Sequence, residues 1–153
     1  MTKDKQINIL LVEDGEADIK IALRAFAKVD PDSRVYVVND GEEALDFMHH
    51  EGRYQDKEKF PRPDLIILDI NMPKMDGFQL LENIKNEPLY SAIPVIVLTT
   101  SRDEGDKARS YRNGAAGFIS KPISYNEFVK VVEGFYSHVQ KRSKGDGEKD
   151  INN

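Results

Sequence analysis

"PDLIILDINMPKMDG", Pro63 to Gly77, decides how the chain is read. Leu65 to Leu68 is an unbroken run of large apolar residues, so both faces of the strand they form must be covered, as in a parallel sheet. The run ends on Asp69 and turns sharply through Asn71, Pro73 and Gly77, residue types that favour turns for different reasons. A carboxylate at the mouth of an apolar core costs free energy unless another group compensates it. The compensating groups have to come from the ends of other strands.

Four further short runs have strand character: "INILLV" (7–12), "RVYVV" (34–38), "PVIVL" (94–98) and "GFIS" (117–120), beside "DLIIL" (64–68) itself. Helical periodicity lies between them. Ile19, Leu23 and Phe26 mark one helix; Ala44, Leu45 and Met48, behind an N-cap at Asn39 or Asp40, mark the next. Phe78, Leu81 and Ile84 mark a third, and a weaker pattern over 101–113 is ended by Gly114. The last helix opens on a capping box, Ser124 and Glu127, and carries Phe128, Val131, Val132, Phe135 and Val139. Five strands alternating with five helices predict an α/β fold, a doubly wound parallel sheet. Ligands of such sheets sit beyond the carboxyl ends of the strands, where the strand order reverses.

The predicted folded unit is 7–142. Residues 1–6 are a short N-terminal extension, and 143–153, charged and without apolar periodicity, are predicted to be a disordered tail. Residues 49–63 are long for a helix-to-strand connection, which usually takes about 2–6 residues. The 153 residues are 39% hydrophobic and 32% charged, with net charge −5, which suits one core and a polar surface. The acidic balance gives no general attraction to nucleic acid or anionic membrane. Absence of cysteine excludes disulfides, thiol catalysis and cysteine-type zinc sites. No apolar run approaches the roughly 20 residues of a membrane span, and the opening "MTKDKQINILLVED" lacks the shape of a signal peptide. A cytoplasmic single domain is expected.

Past the strand ends come Glu13 and Asp14, then Asp69, then Thr99 and Thr100, then Lys121 followed by Pro122. Three carboxylates on one rim repel one another at low dielectric. A hard divalent cation relieves this, and an all-oxygen donor set favours Mg2+ (or Mn2+) over zinc. A carboxylate between a metal and an ammonium can act as nucleophile toward a phosphoryl group, with Thr99 adding a hydrogen bond.

An acidic pair after strand one, "LDINMPKMDG" after strand three, a threonine after strand four and Lys-Pro after strand five resemble the receiver domain of two-component response regulators, the CheY-like family. The resemblance runs from about residue 7 to residue 139 and implies a flavodoxin-like sheet of order 2-1-3-4-5. Carried over residue by residue, it makes Asp69 the phosphoacceptor and Glu13, Asp14, Asp69 and the Asn71 backbone carbonyl the Mg2+ site, Glu13 through water. It places Thr99 and Lys121 on the phosphoryl group, makes Thr99 and Phe118 the switch pair, with Phe118 expected to favour the inward rotamer, and implies a cis bond before Pro122. Asn71 and Ser101 would influence access of hydrolytic water. It also implies a signalling protein that assists its own phosphorylation and dephosphorylation rather than an enzyme with turnover.

The insertion before strand three and the extended last helix are similar to those of single-domain regulators of cyanobacterial and bacterial phytochromes. That similarity implies a sensor histidine kinase, a phytochrome among the candidates, as phosphodonor. With no effector domain, the expected output is a downstream protein partner, a phosphotransfer protein, or a homodimer through Phe135, Tyr136 and Val139. Tyr54 and Phe60 are candidate kinase anchors, with a variable surface loop as the alternative. A receiver that binds partners without phosphorylation is the alternative function. Flavin binding is disfavoured because "VEDGEAD" puts acids where a phosphate would sit, and a haloacid dehalogenase-type phosphatase because Asn71 stands where its second aspartate is needed. His49, His50 and His138 are expected to be solvated, and Lys141, Arg142 and Lys144 to belong to a solvated tail.

Overall fold

The computed structural model describes residues 6–72, 76–100 and 103–152, and side chains as far as His138. Five strands are present: β1 (Asn8–Val12), β2 (Arg34–Val38), β3 (Leu65–Asp69), β4 (Val95–Thr99) and β5 (Gly117–Ser120). They alternate with α1 (Glu16–Val29), α2 (Gly41–His49), α3 (Gly77–Asn86), α4 (Glu104–Arg112) and α5 (Tyr125–Asn152). All pairings are parallel, in the order β2-β1-β3-β4-β5. The expected doubly wound sheet is therefore observed, and its order reverses between β1 and β3.

Strand alternation sorts the core into two layers. Leu10, Val12, Ile66, Leu68, Val95 and Val97 pack beneath α2 and α3, on Phe47, Leu80, Leu81 and Ile84. Ile9, Leu11, Leu65, Ile67 and Leu98 pack beneath α1 and α5, on Ala22, Phe26, Phe128 and Val132. Burying each large side chain contributes about 1.5–3 kcal/mol, so the central strands are firmly registered. α4 is the polar exception, since Ser110 is its one buried residue. It is held partly by Arg109, whose guanidinium lies 4.1 Å over the Phe78 ring of α3.

The strand ends differ from expectation by one residue. Asp69 and Thr99 are the last residues of β3 and β4 rather than the first beyond them, because ladder pairing continues through Asp69 opposite Leu98. Both side chains thus stand on the sheet itself, more rigidly than on a loop. Asp40 is the N-cap of α2, accepting from the Glu43 amide at 2.7 Å, and Ser124 with Glu127 forms the expected capping box. Gly114 takes φ +99°, a conformation side chains rarely adopt. Gly77 is required by space: a Cβ there would lie 2.5 Å from both Cα and Cβ of Ile70.

Two expectations are corrected. The helix continues to Asn152, past residue 143, where a disordered tail was expected. Lack of an apolar face reports lack of burial, whereas the charged segment still extends a helix already nucleated upstream. Tyr54 is not an exposed anchor. The segment 49–63, at the amino end of β3, folds back so that Tyr54 and Phe60 join Tyr36 and Phe47, with neighbouring ring centroids 4.9–6.2 Å apart. Burial drives this, and the Tyr54 hydroxyl is satisfied by donating to Glu43 at 2.6 Å. His50 is structural too: it ends α2 at φ 56°, and its Nε2 bonds the Phe60 carbonyl at 2.9 Å. His49 lies 3.8 Å from Glu87.

The last helix uses part of the apolar surface expected to be spare. Phe135 and Tyr136 pack on the core layer beneath α1, and the Tyr136 hydroxyl donates to Asp30 at 2.7 Å. Pro73 and Ser101, and the side chains of Val139, Lys141, Arg142 and Lys144, lie outside the described residues.

Candidate functional site

At the reversal point, two strand ends bring three acids together. β1 delivers Glu13, whose amide still donates to Val38 at 3.0 Å as though the strand ran on. Its side chain turns inward and is 1% exposed. One oxygen, Oε2, accepts the amides of Asp14 and Gly15, both at 3.1 Å. The other, Oε1, accepts from Lys121 Nζ at 2.7 Å. Asp14 is exposed beside it. β3 delivers Asp69, buried, with Oδ1 accepting the Asn71 amide at 2.9 Å and Oδ2 accepting from Lys121 at 2.8 Å. One carboxylate oxygen from each of Glu13, Asp14 and Asp69 lies within 4.8 Å of the other two.

Lys121 is placed from the other side. Its amide donates to the Thr99 carbonyl at 2.6 Å, which carries the β5 direction one residue further, and its bond to Pro122 is cis. The side chain, 10% exposed, crosses the rim to reach the acids. Burial alone would lower the pKa of the ammonium, but the hydrogen bonds it donates to Asp69, Glu13 and Asp18 outweigh it and push it well above the ordinary lysine range. Glu13 moves up as well: its burial exceeds the lowering effect of Lys121 and the Gly15 amide. The rim is thus a cluster in which one cation serves several anions, an arrangement that favours an added positive charge.

Two participants were not legible beforehand. Asp18, in the first turn of α1, places Oδ2 3.1 Å from Lys121. Its one outward sign is its place in "EDGEAD", four residues after Asp14. The Asn71 side chain is the other. Its Oδ1 accepts the Thr99 hydroxyl and, at 2.8 Å, the Thr100 amide, linking the loops after β3 and β4. Thr99 is fully buried, so its hydroxyl has to be satisfied from within. Phe118 is half-buried rather than fully inward: it packs against the layer beneath α3 and lines a hollow with Asp103, Glu104, Lys107 and Ser120. Its ring carries no polar atom, so either burial state is free of a hydrogen-bond penalty.

Chemically, the donor set is all oxygen. Among the described residues no histidine joins the acidic group. Hard divalent cations such as Mg2+ and Mn2+ fit such a set, and the crowding of the carboxylates supplies the electrostatic reason to bind one. No helix among the described residues is long and apolar enough to cross a membrane.

Comparison with known proteins places the chain in a family. The chain is 38% identical over 129 residues to response regulator Rcp1 of Synechocystis sp., covering 84% of this chain and 86% of Rcp1. The phosphorylated cyanobacterial phytochrome response regulator RcpA superposes with a TM-score of 0.76 at 38% identity, over 86% of this chain and 91% of that one. The Mn2+-bound form of Rcp1 gives a TM-score of 0.73 at 37% identity, over 86% and 92%. Residues 9–133 match the response regulator receiver domain, and the chain belongs to that family.

Proposed function

We propose that the chain accepts a phosphoryl group from a sensor histidine kinase on Asp69 and reports the event through the face around Phe118. The supporting observation is the Lys121 ammonium at 2.8 Å from Asp69 and 2.7 Å from Glu13, with Asp14 alongside. An Asp69 oxygen forms a bond to phosphorus while the phosphorus–nitrogen bond of the donor breaks, its electron pair remaining on the departing imidazole. Lys121 stays protonated and turns one of its three N–H bonds to a phosphoryl oxygen. Thr99 exchanges its bond to Asn71 for one to the same group, and the loop after β4 follows.

Glu13, Asp14, Asp69 and the Asn71 carbonyl would hold Mg2+, Glu13 through water. When bound, the cation neutralises charge on the transferring phosphoryl group. The relatives described as phytochrome response regulators support a phytochrome-type kinase as donor. A downstream protein, a phosphotransfer protein or a second copy of the chain would read the switch.

The test is intact-mass measurement after incubation with acetyl phosphate and Mg2+. The wild type should gain one phosphoryl group, and Asp69→Asn or a chelator should prevent it. A gain that survives Asp69→Asn reassigns the acceptor.

A further inference from the structure

An ammonium has three N–H bonds, and Lys121 gives all three to carboxylates: Glu13 Oε1 at 2.7 Å, Asp69 Oδ2 at 2.8 Å and Asp18 Oδ2 at 3.1 Å. A phosphoryl group on Asp69 needs one of them. The three acceptors differ in their freedom to yield. Glu13 is buried, and its second oxygen is fixed by two backbone amides. Asp69 is the acceptor itself, with a side chain 6% exposed. The Asp18 side chain is 38% exposed, so water can take its place on the oxygen at little cost.

The approach of Asp18 is built into the start of α1. A Cβ on Gly15 would stand 3.0 Å from Asp18 Oδ2 and 3.3 Å from Glu13 Oε2. Such spacing is tighter than ordinary contact, so the bare backbone of Gly15 is what lets the Asp18 carboxylate lean over the rim. Glu16, two residues away, is 88% exposed at its side chain and its carboxylate faces Lys20 at 3.8 Å. It carries the same charge without touching the site.

We propose that Asp18 is a positioning residue for phosphoryl transfer, holding the third N–H of Lys121 while Asp69 is unmodified and competing with the incoming phosphoryl group for it. This rests on Asp69 being the acceptor. No proton changes hands; Lys121 exchanges one hydrogen bond for another. Asp18 thereby sets how much phosphodonor is needed to engage the site, and leaves the limiting rate largely alone.

The experiment compares wild type, Asp18→Asn and Glu16→Gln, each with Mg2+, in two readouts. One is titration with beryllofluoride, a non-covalent phosphoryl mimic, followed by fluorine NMR. The other is the dependence of Asp69 phosphorylation on acetyl phosphate concentration. Asp18→Asn keeps the shape and one acceptor oxygen but removes the charge. It should lower the half-saturating concentration of both probes about two- to fivefold, the size a partly exposed ion pair carries. The limiting rate should stay within about twofold, and Glu16→Gln should match wild type. A half-saturating value for Asp18→Asn that is unchanged or higher overturns the inference. So does an equal fall in Glu16→Gln, which would show general charge repulsion instead. Wild type that takes up neither probe is a separate failure, that of Asp69 as acceptor.

Discussion

Lys121→Met tests the electrostatics of the rim most directly. Methionine keeps most of the apolar stem and removes the charge, leaving Glu13 and Asp69 buried beside each other. At contacts of 2.7–2.8 Å the gross attraction is about 6 kcal/mol each at an effective dielectric near 20. Desolvation has already consumed most of that, and removing one partner of a buried pair typically costs about 3–5 kcal/mol net. Asp18, partly exposed, adds less than about 1 kcal/mol. Urea unfolding without metal at pH 8 should therefore show a loss of about 3–5 kcal/mol. Protonation offers an escape. Burial already holds the Glu13 carboxyl above its usual value, and without Lys121 it rises further. A group with a raised folded pKa contributes stability below its unfolded value and loses it as pH rises through the folded one. The deficit should thus shrink toward pH 5 and grow toward pH 8. Mg2+ should restore part of it, about 2.7 kcal/mol at a hundredfold excess over the dissociation constant. A metal-free variant as stable as wild type at pH 8, with no response to Mg2+, would refute the reasoning.

Gly77→Ala drives a Cβ to 2.5 Å from the Ile70 backbone, so overpacking should cost about 1–3 kcal/mol in urea unfolding and slow Asp69 phosphorylation by shifting the adjoining loop. Tyr136→Phe should cost about 1–2 kcal/mol at pH 8 through loss of the bond to Asp30. Burial, then that bond, raises the Tyr136 pKa, so the wild-type advantage holds below about pH 10 and fades above it, and parallel melts across that range would show it. Phe60→Ala, removing a half-buried ring from the Tyr36–Phe47–Tyr54 cluster, should destabilise by about 1–3 kcal/mol, roughly half the cost of emptying a fully buried site. Limited proteolysis at Lys57 or Lys59 should accelerate while phosphorylation of Asp69 continues. Unchanged cleavage would mean the loop is held by something else.

Much of the fold was legible because apolar runs such as Leu65–Leu68 can be satisfied only inside a covered sheet, and because Asp69, Lys121 and the Glu13–Asp14 pair all follow such runs. What escaped depends on geometry that spacing does not encode. Asp18 reaches the rim because Gly15, the N-cap just before α1, has no side chain, and Asn71 acts through its amide across to a different strand. Tyr54 was misread because a charged stretch suggests solvent, whereas the ring folds back onto Phe47. The length of α5 was underestimated because hydrophobic patterning measures which face is buried, not whether the backbone stays helical.

The insertion and the acid rim stand at opposite ends of the sheet. Each central strand has five residues, so about 17 Å of close-packed backbone separates them. Changes that remodel the outer loop leave the charge balance around Asp69 untouched. The outer loop and the charged rim can therefore vary as two independent inheritances.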